Sequence, residues 1–455
     1  MAINTKDSLQ AHRFMNRRVR AALLEGDAES NTRPLARLGT GTYAGIFVTI
    51  ALLAVVGIIG VLKPGGSTAW QEPGAFIVEE ETGARYIYLD GLLHPVLNYS
   101  SAKLLLGSRL HVVTVSARSL ENAPHGPVIG IPSAPDSLPD AAHIVGTSWS
   151  VCAIGNAAGG QPYRTAMFPG QAAAGAAMGN DDAYLVLTTS EQYQLIWSGH
   201  AHAIPDQWLA ALGYRPSESI AVEDGFAAAL PAGQQIAPAE IPGLGQPGPA
   251  LPASVEPTII GSIYADRINT YYLMTQDGLA TLTPLQAQLL LGDPRLAAAY
   301  GGGSPSPLPI SQAQVTEMTV VPLPDLGVGA APPPKAPELT NLPPGEGQLC
   351  IRYADQQVPQ IAAGPADPAP IPAAGLVQLP TGSGALVAAR LNPDTPETTV
   401  YLVTDTGTRF PVAGQGALEQ LGLAGVSVAQ LPATLVGLLP AGALLDQAAA
   451  AMPAS

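Results

Sequence analysis

Three groups of side chains in this 455-residue sequence have types and spacing that could do acid-base, metal or phosphate chemistry, and a fourth is its two cysteines. His200-Ala201-His202 would set two imidazoles on one face of an extended strand, as a metal site demands, but no third ligand stands close by. An isolated HxH is a weak pattern, and the pair reads as surface residues. Asp181-Asp182 and Glu79-Glu80-Glu81 offer neighbouring carboxylates. Acid and base roles would need burial to drive their pKa values apart, so these polar runs read as solvated charge. Gly39-Thr40-Gly41 is the nearest approach to a phosphate loop; it lacks the lysine, and no GxxxxGK[ST] occurs anywhere in the chain. No GxSxG elbow is present, which leaves serine-hydrolase chemistry without support. Trp149, Trp197 and Trp208 read as core rather than as a ligand box. The sequence thus names no catalytic, cofactor-binding or metal-binding residue, and an enzyme is not the expectation.

The elements that must position these groups follow from composition. Apolar residues make up 47% and charged residues 12%, against about a quarter charged in ordinary soluble proteins, which excludes high-charge disorder. The 49 Gly, 45 Pro and 5% aromatics argue for folded pieces joined by long irregular connections. A net charge of -15 excludes general binding to nucleic-acid phosphates.

That charge is unevenly placed. Residues 1–63 hold eight Lys/Arg against four Asp/Glu, and the remainder holds 12 against 31. The division falls at residues 43–62, YAGIFVTIALLAVVGIIGVL, which carry no ionisable side chain after Tyr43. About 20 such residues at 1.5 Å each cross a hydrocarbon core near 30 Å, so a transmembrane helix is expected. Arg13, Arg17, Arg18, Arg20, Arg33 and Arg37 precede it, whereas Glu72, Glu79, Glu80 and Glu81 follow. The positive-inside bias then places the leader, 1–42, in the cytoplasm and residues 63–455 outside, with the span kept as an anchor. Within the leader, 8–24 can form a basic helix whose apolar side chains suit a membrane or a cytoplasmic partner, or which merely enforces topology.

Cys152 and Cys350 both lie beyond the anchor. Oxidising conditions favour pairing there, and two cysteines are the minimum for one bridge. A disulfide is the reading; a metal site would lack any CxxC partner or closely spaced histidine. The loop of about 200 residues would bring roughly 5 kcal/mol in the chain-entropy model, as an upper bound.

Outside the membrane an α+β, β-rich part is expected. Four segments, 86–107, 184–213, 272–292 and 401–422, share a Tyr-rich strand, a polar turn, a second strand and a helix closing in Leu-Gly, the second with an insertion. In the third, Asp277-Gly278 suits a hairpin, Thr283 and Pro284 open a helix, and Gly292 would end it in the left-handed conformation. Residues 110–115, 149–154, 315–321 and 347–353 read as strands of a central sheet, drawn from a core at about 108–183 and 293–400. The Pro/Gly-rich stretches 231–257 and 301–345 read as extended connections, solvated or laid over the surface.

The leader AHRFMNRRVRAALL, the single span, HPVLNYSSAKLLLG from His94, GIPSAPDSLP from Gly130, SWSVC ending at Cys152, the cysteine at 350 and the tail LVGLLPAGALLDQAAA together resemble the EccB family. EccB is the membrane-anchored B component of the actinobacterial type VII (ESX) secretion system. The likeness covers nearly the whole chain. It implies one anchor in the inner membrane and an elongated extracytoplasmic part of four ββα-like repeats around a central core. It also implies one disulfide, mapping to Cys152 and Cys350. The implied partners are the C, D and E membrane components and further copies of itself, around a channel that exports proteins. The family is also labelled an ATPase. A structural subunit of that channel is therefore the expectation. The alternatives are a membrane-anchored cell-wall-binding module, whose small repeats suit multivalent attachment, and a nucleotide-hydrolysing component.

Overall fold

The structure is a computed structural model. It describes residues 5–26, 36–62, 67–155, 162–173, 175–179, 182–254, 257–323, 330–342, 347–354, 359–365, 377–390 and 399–454. The chain divides into two compact units, one of Met1–Glu72, Val78–Gly83 and Val113–Ala123, the other of Pro73–Ile77, Ala84–Val112 and Pro124–Ser455.

The first unit holds two long helices, Thr5–Glu25 and Ala36–Leu62. Arg, Leu and Ala dominate the first, all good helix formers. In the second, Gly39–Ile58 is long and apolar enough to cross a membrane, and none of it is buried. Gly39, Thr40 and Gly41 are helical, so they do not form the loop that a phosphate nest requires.

The described residues beyond 67 form five sheets, and four of them repeat one topology. In the first module the strands are Ala75–Glu79, Arg85–Leu89 and Leu92–Pro95, followed by helix Tyr99–Leu106 and strand His111–Val115. The second has Tyr184–Thr188, Tyr193–Trp197, His200–Ile204, the 3-10 turns Asp206–Trp208 and Ala210–Leu212, and Ile220–Val222. The third has Ile263–Ala265, Tyr271–Met274, Leu279–Leu282, helix Pro284–Leu291 and Leu308–Pro309, with Val320–Val321 added beside its third strand. The fourth has Gly384–Arg390, Val400–Thr404, Arg409–Val412, helix Gly414–Leu421 and Ala429–Pro432. Each sheet runs third, second, first, fourth. In the last three modules the fourth strand pairs parallel with the first, the arrangement a helical crossover permits.

This topology alters three expectations. Tyr86, Tyr272 and Tyr401 lie in second strands, whereas Tyr184 opens a first strand. The longer span of the second segment is therefore an additional strand, not an insertion. Its helical part is two 3-10 turns, with Pro205 at the N-cap offering no side-chain acceptor and Gly213 closing in the left-handed region at φ 79°. Gly292 stays right-handed, at φ −83°. It is needed for close approach instead, because a Cβ there would stand 2.5 Å from Ala211 Cβ. Thr283 and Gln286 do form a reciprocal capping box, with Pro284 in the first turn.

The fifth sheet is central. Its order is Arg164–Pro169, Trp149–Ile154, Gly347–Tyr353, Gln360–Pro365 and Ala176–Ala177, all antiparallel. Two of the strands expected in it lie elsewhere: His111–Val115 closes the first module, and 315–321 becomes the end of helix Gln312–Glu317 plus Val320–Val321 of the third. The eeieB burial of His111–Val115 fits an edge strand and not a covered one. The connections are also more ordered than their composition suggests, since Ile236, Ala239, Leu251, Ile310 and Val315 are buried.

Each half of the chain beyond residue 67 reads module, central hairpin, module, and the halves embrace reciprocally. Ile144 pairs with Gly384 of the fourth module, and Leu339 pairs with Ala183 of the second. Met167 pairs with Val377, and Ala362 with Ala177. The helix of the first module packs on that of the fourth, and the helix of the third packs on the turns of the second. The largest core joins Trp149, Met167, Ile351 and Ile361 of the central sheet to Val186 and Phe226 on one side and Val387 and Leu435 on the other.

Candidate functional site

Cys152 and Cys350 occupy directly opposed positions on the two middle strands of the central sheet. Their Cα atoms are 4.0 Å apart and their sulfur atoms are bonded, across 198 residues of sequence. Both are buried with Ile154 and Ala166. The bond therefore ties one half of the β-rich chain to the other where the halves meet, out of reach of solvent.

A second device recurs at the rim of the modules. Leu93 N donates to Pro124 O, Ala201 N to Pro231 O and Arg409 N to Pro440 O, at 2.8, 3.0 and 2.9 Å. Two residues beyond each proline a glycine N–H donates back, from Gly126 to Leu93 O, Gly233 to Ala201 O and Gly442 to Arg409 O. Three residues further, Ile129, Ile236 and Leu445 donate to Pro95, Ala203 and Pro411. A Pro-x-Gly segment is thus laid along the third strand of three modules. The glycine is required because a ring lies on it: an added Cβ would stand 2.3 Å from His94 Cε1, 2.2 Å from His202 Cε1 and 2.2 Å from Phe410 Cε1. In the third module the ring is replaced by Ala280, and the residue opposite it is Val321. Large faces none and small faces large, so the space is filled either way.

This clamp accounts for the HxH pair. His202 is fully buried and is not a surface residue; its Nδ1–H donates to Gln234 O at 2.9 Å, as His94 Nδ1–H donates to Pro127 O at 3.0 Å. His200 is half-buried and its Nδ1–H donates to Ser198 O at 2.9 Å. The two rings have centroids 6.4 Å apart, and no group of three metal-ligating side chains is found among the described residues.

His202 Nε2 is buried with no hydrogen-bond partner. Burial holds this imidazole below the usual histidine value of 6.5, the Gln234 carbonyl opposing and His200 reinforcing the shift. Below pH 6.5 the unfolded chain takes up a proton that the folded chain refuses. Stability at this position is therefore complete above that pH and lost as pH falls toward the folded value. His202→Phe, which copies Phe410, should flatten the acid limb of a pH series of thermal midpoints below 6.5. An unchanged limb would show that His202 does not govern it.

The remaining candidates also resolve into packing. Asn98 caps helix Tyr99–Leu106 by accepting from Ser101 N, and its Nδ2 donates to Ile131 O at 2.7 Å. Ser101 Oγ accepts from Ile131 N, Ser100 Oγ donates to Pro135 O, and Arg85 pairs with Asp136 at 2.6 Å. The run beginning at His94 is thereby fastened to the run beginning at Gly130 through buried polar side chains. Asp181 lies outside the described residues, and Asp182 accepts from Gly179 N and Thr340 Oγ1. Glu79 accepts from Thr82 Oγ1 and Glu81 from Ala117 N, so these carboxylates pin turns. Trp149 and Trp208 are core, and Trp197 is half-buried against the same cluster as Trp208. A cleft of about 400 Å³ lies beside Glu240, Ile241, Leu244 and Leu296, but its cation, Arg295, is already paired in bidentate fashion with Asp293.

The family described as "Type VII secretion system ESX-1, transport TM domain B" matches residues 1–454. Two curated proteins of Mycobacterium tuberculosis, named ESX-2 secretion system ATPase EccB2 and ESX-1 secretion system ATPase EccB1, are each 26% identical over 99% of this chain and 95% of their own. Among solved structures, a chain of an intact ESX-5 inner membrane complex aligns with TM-score 0.60 at 23% identity, covering 100% of this chain and 96% of that one. A chain of an EccB3 dimer from the ESX-3 core complex aligns with TM-score 0.58 at 22% identity, covering 83% and 100%.

Proposed function

Because the chain belongs to the EccB family of type VII secretion, we propose that it is a structural subunit of an ESX-type membrane complex for protein export. It assembles with other membrane components of C, D and E type and with further copies of itself. The observation that carries this reading is that the most specific motifs of the chain are spent on packing. Asn98, Ser100, Ser101 and His202 fasten the connecting segments onto their modules through hydrogen bonds from buried side chains. Solved relatives are titled as parts of an ESX-5 inner membrane complex and as an EccB3 dimer, which supports both kinds of partner. The relatives' names carry the word ATPase, but no lysine in this sequence follows a glycine, so the phosphate loop that such turnover ordinarily uses has no counterpart. Function by assembly is the reading that remains. A detergent pull-down of the intact chain from its own envelope tests it: recovery of other secretion-membrane subunits in stable ratio is expected, and recovery of the chain alone would sink the proposal.

The proposed topology puts the N-terminal leader in the cytoplasm and the sheets on the far side of the membrane, supported by the arginines before Gly39–Ile58 and the glutamates after it. In whole cells, a membrane-impermeant thiol reagent should spare Ser30→Cys and label Ser217→Cys, which is exposed. The reverse pattern would invert the orientation.

A further inference from the structure

The leader helix Thr5–Glu25 turns by about 100° per residue. At that pitch Leu9, Met15, Val19, Ala22 and Leu23 share an arc of about 140°, and every one of them is exposed. His12 and Asn16 fall within the same arc and hydrogen-bond each other at 3.2 Å, which reduces their polarity. Cations line one edge of the stripe, Arg20 and Arg13 nearest, then Lys6, with Arg17 further round; on the other side Arg18 stacks on Phe14, 5.8 Å from the centre of a ring that is exposed outside the stripe. The two acids of the helix, Asp7 and Glu25, lie on the opposite face.

Ten residues separate this helix from Ala36–Leu62. Fully extended, they reach about 35 Å. The helix is thus held near the surface of whatever bilayer its neighbour crosses. An apolar stripe on a tethered helix is costly in water, and the nearest apolar medium is the acyl region of that bilayer. A groove in a protein could take the stripe, but it would not call for a row of positive charge along the stripe's edge. A plane of lipid phosphates does, because the long cationic stems lie along apolar surface while their heads reach the headgroups.

We propose that Thr5–Glu25 lies in the interface of an anionic lipid leaflet, with Leu9, Met15, Val19 and Leu23 in the acyl boundary and Lys6, Arg13, Arg17 and Arg20 on the headgroup phosphates. This rests on the reading of Gly39–Ile58 as a membrane span. The helix then fixes the depth and direction in which the chain enters the span.

Both native cysteines are bonded, so an introduced one is a single labelling site. Nitroxides at Val19→Cys, Gln10→Cys and Val55→Cys of the full chain, reconstituted in vesicles of phosphatidylcholine and phosphatidylglycerol in a three-to-one ratio, read depth through their accessibility to oxygen and to a water-soluble nickel chelate. Val19 should report an apolar environment, as Val55 does within the span, and Gln10 an aqueous one. Replacing Arg13 and Arg17 by Gln should lower the docked fraction at Val19, by about fivefold per charge in the ratio of docked to free. An aqueous Val19 beside a buried Val55 would overturn the docking and leave the span standing. An aqueous Val55 would overturn both. Burial of Val19 only after other membrane-complex subunits are added, and regardless of phosphatidylglycerol, would assign the stripe to a protein and end the lipid proposal.

Discussion

Replacing Cys152 and Cys350 together by alanine should lower the unfolding free energy of the β-rich part by up to about 5 kcal/mol, the chain-entropy value for a loop of this size. The effect is large because the bond spans 198 residues and joins the two hairpins of the central sheet, so its loss frees one half from the other in the unfolded ensemble. Alanine is the informative replacement, since both sites are buried and serine would add an unpaired hydroxyl. Denaturant unfolding of the purified chain, with and without reductant, is the measurement. The variant should match the reduced wild-type chain, and a midpoint equal to that of oxidised wild type would show that the backbone ladder between Trp149–Ile154 and Gly347–Tyr353 suffices alone.

Gly233→Ala should cost roughly 1–3 kcal/mol, the usual range for overfilling a packed site. The added Cβ would stand 2.2 Å from His202 Cε1 and 2.4 Å from its Nδ1, and the ring is fully buried. Gly442→Ala should behave alike, because Phe410 is buried as well. Gly126→Ala should cost less: His94 is half-buried, so its ring has room to turn toward solvent. Thermal midpoints of the three variants test this order. Combined with His202→Ala, which opens a cavity at the same point, Gly233→Ala should lose less than the two changes made separately. Strict additivity would mean that ring and glycine do not meet.

The two elements most legible in the sequence are those whose physics is local. The apolar run at 43–62 announces a helix by length alone, and Thr283-Pro284 announces a helix start by capping chemistry. The pairing partner of Cys152 follows from counting, because only one other cysteine exists. What sequence patterns leave out is whatever depends on who sits opposite. His202 stands in a strand among alternating residues and looks solvent-facing until Gly233, contributed by a later connection, closes over it. Gly292 looks like a helix stop, yet its use is the approach of Ala211. The strand at His111–Val115 is identifiable as a strand, but its sheet is decided by the return of the chain to the first strand of its module and not by its own pattern. A signal exists but is not specific: Pro-x-Gly follows three modules at Pro124, Pro231 and Pro440, yet it also occurs at Pro64, Pro343 and Pro380, so only the pairing with a third strand tells the clamps apart.

The reciprocal embrace of the halves also sets the timing of folding. Residues 144 and 183 find their partners at Gly384 and Leu339, and Trp149–Ile154 finds its partner at Gly347–Tyr353. Contacts this distant along the chain form slowly. A nascent chain that has reached residue 300 has its first two modules but lacks the partner strand for Trp149–Ile154, so an apolar edge stays open and Cys152 has no mate within its own molecule. Two such molecules side by side can join through that edge and that thiol. The interval in which this protein is open to mispairing is therefore the one between the appearance of Trp149–Ile154 and that of Gly347–Tyr353.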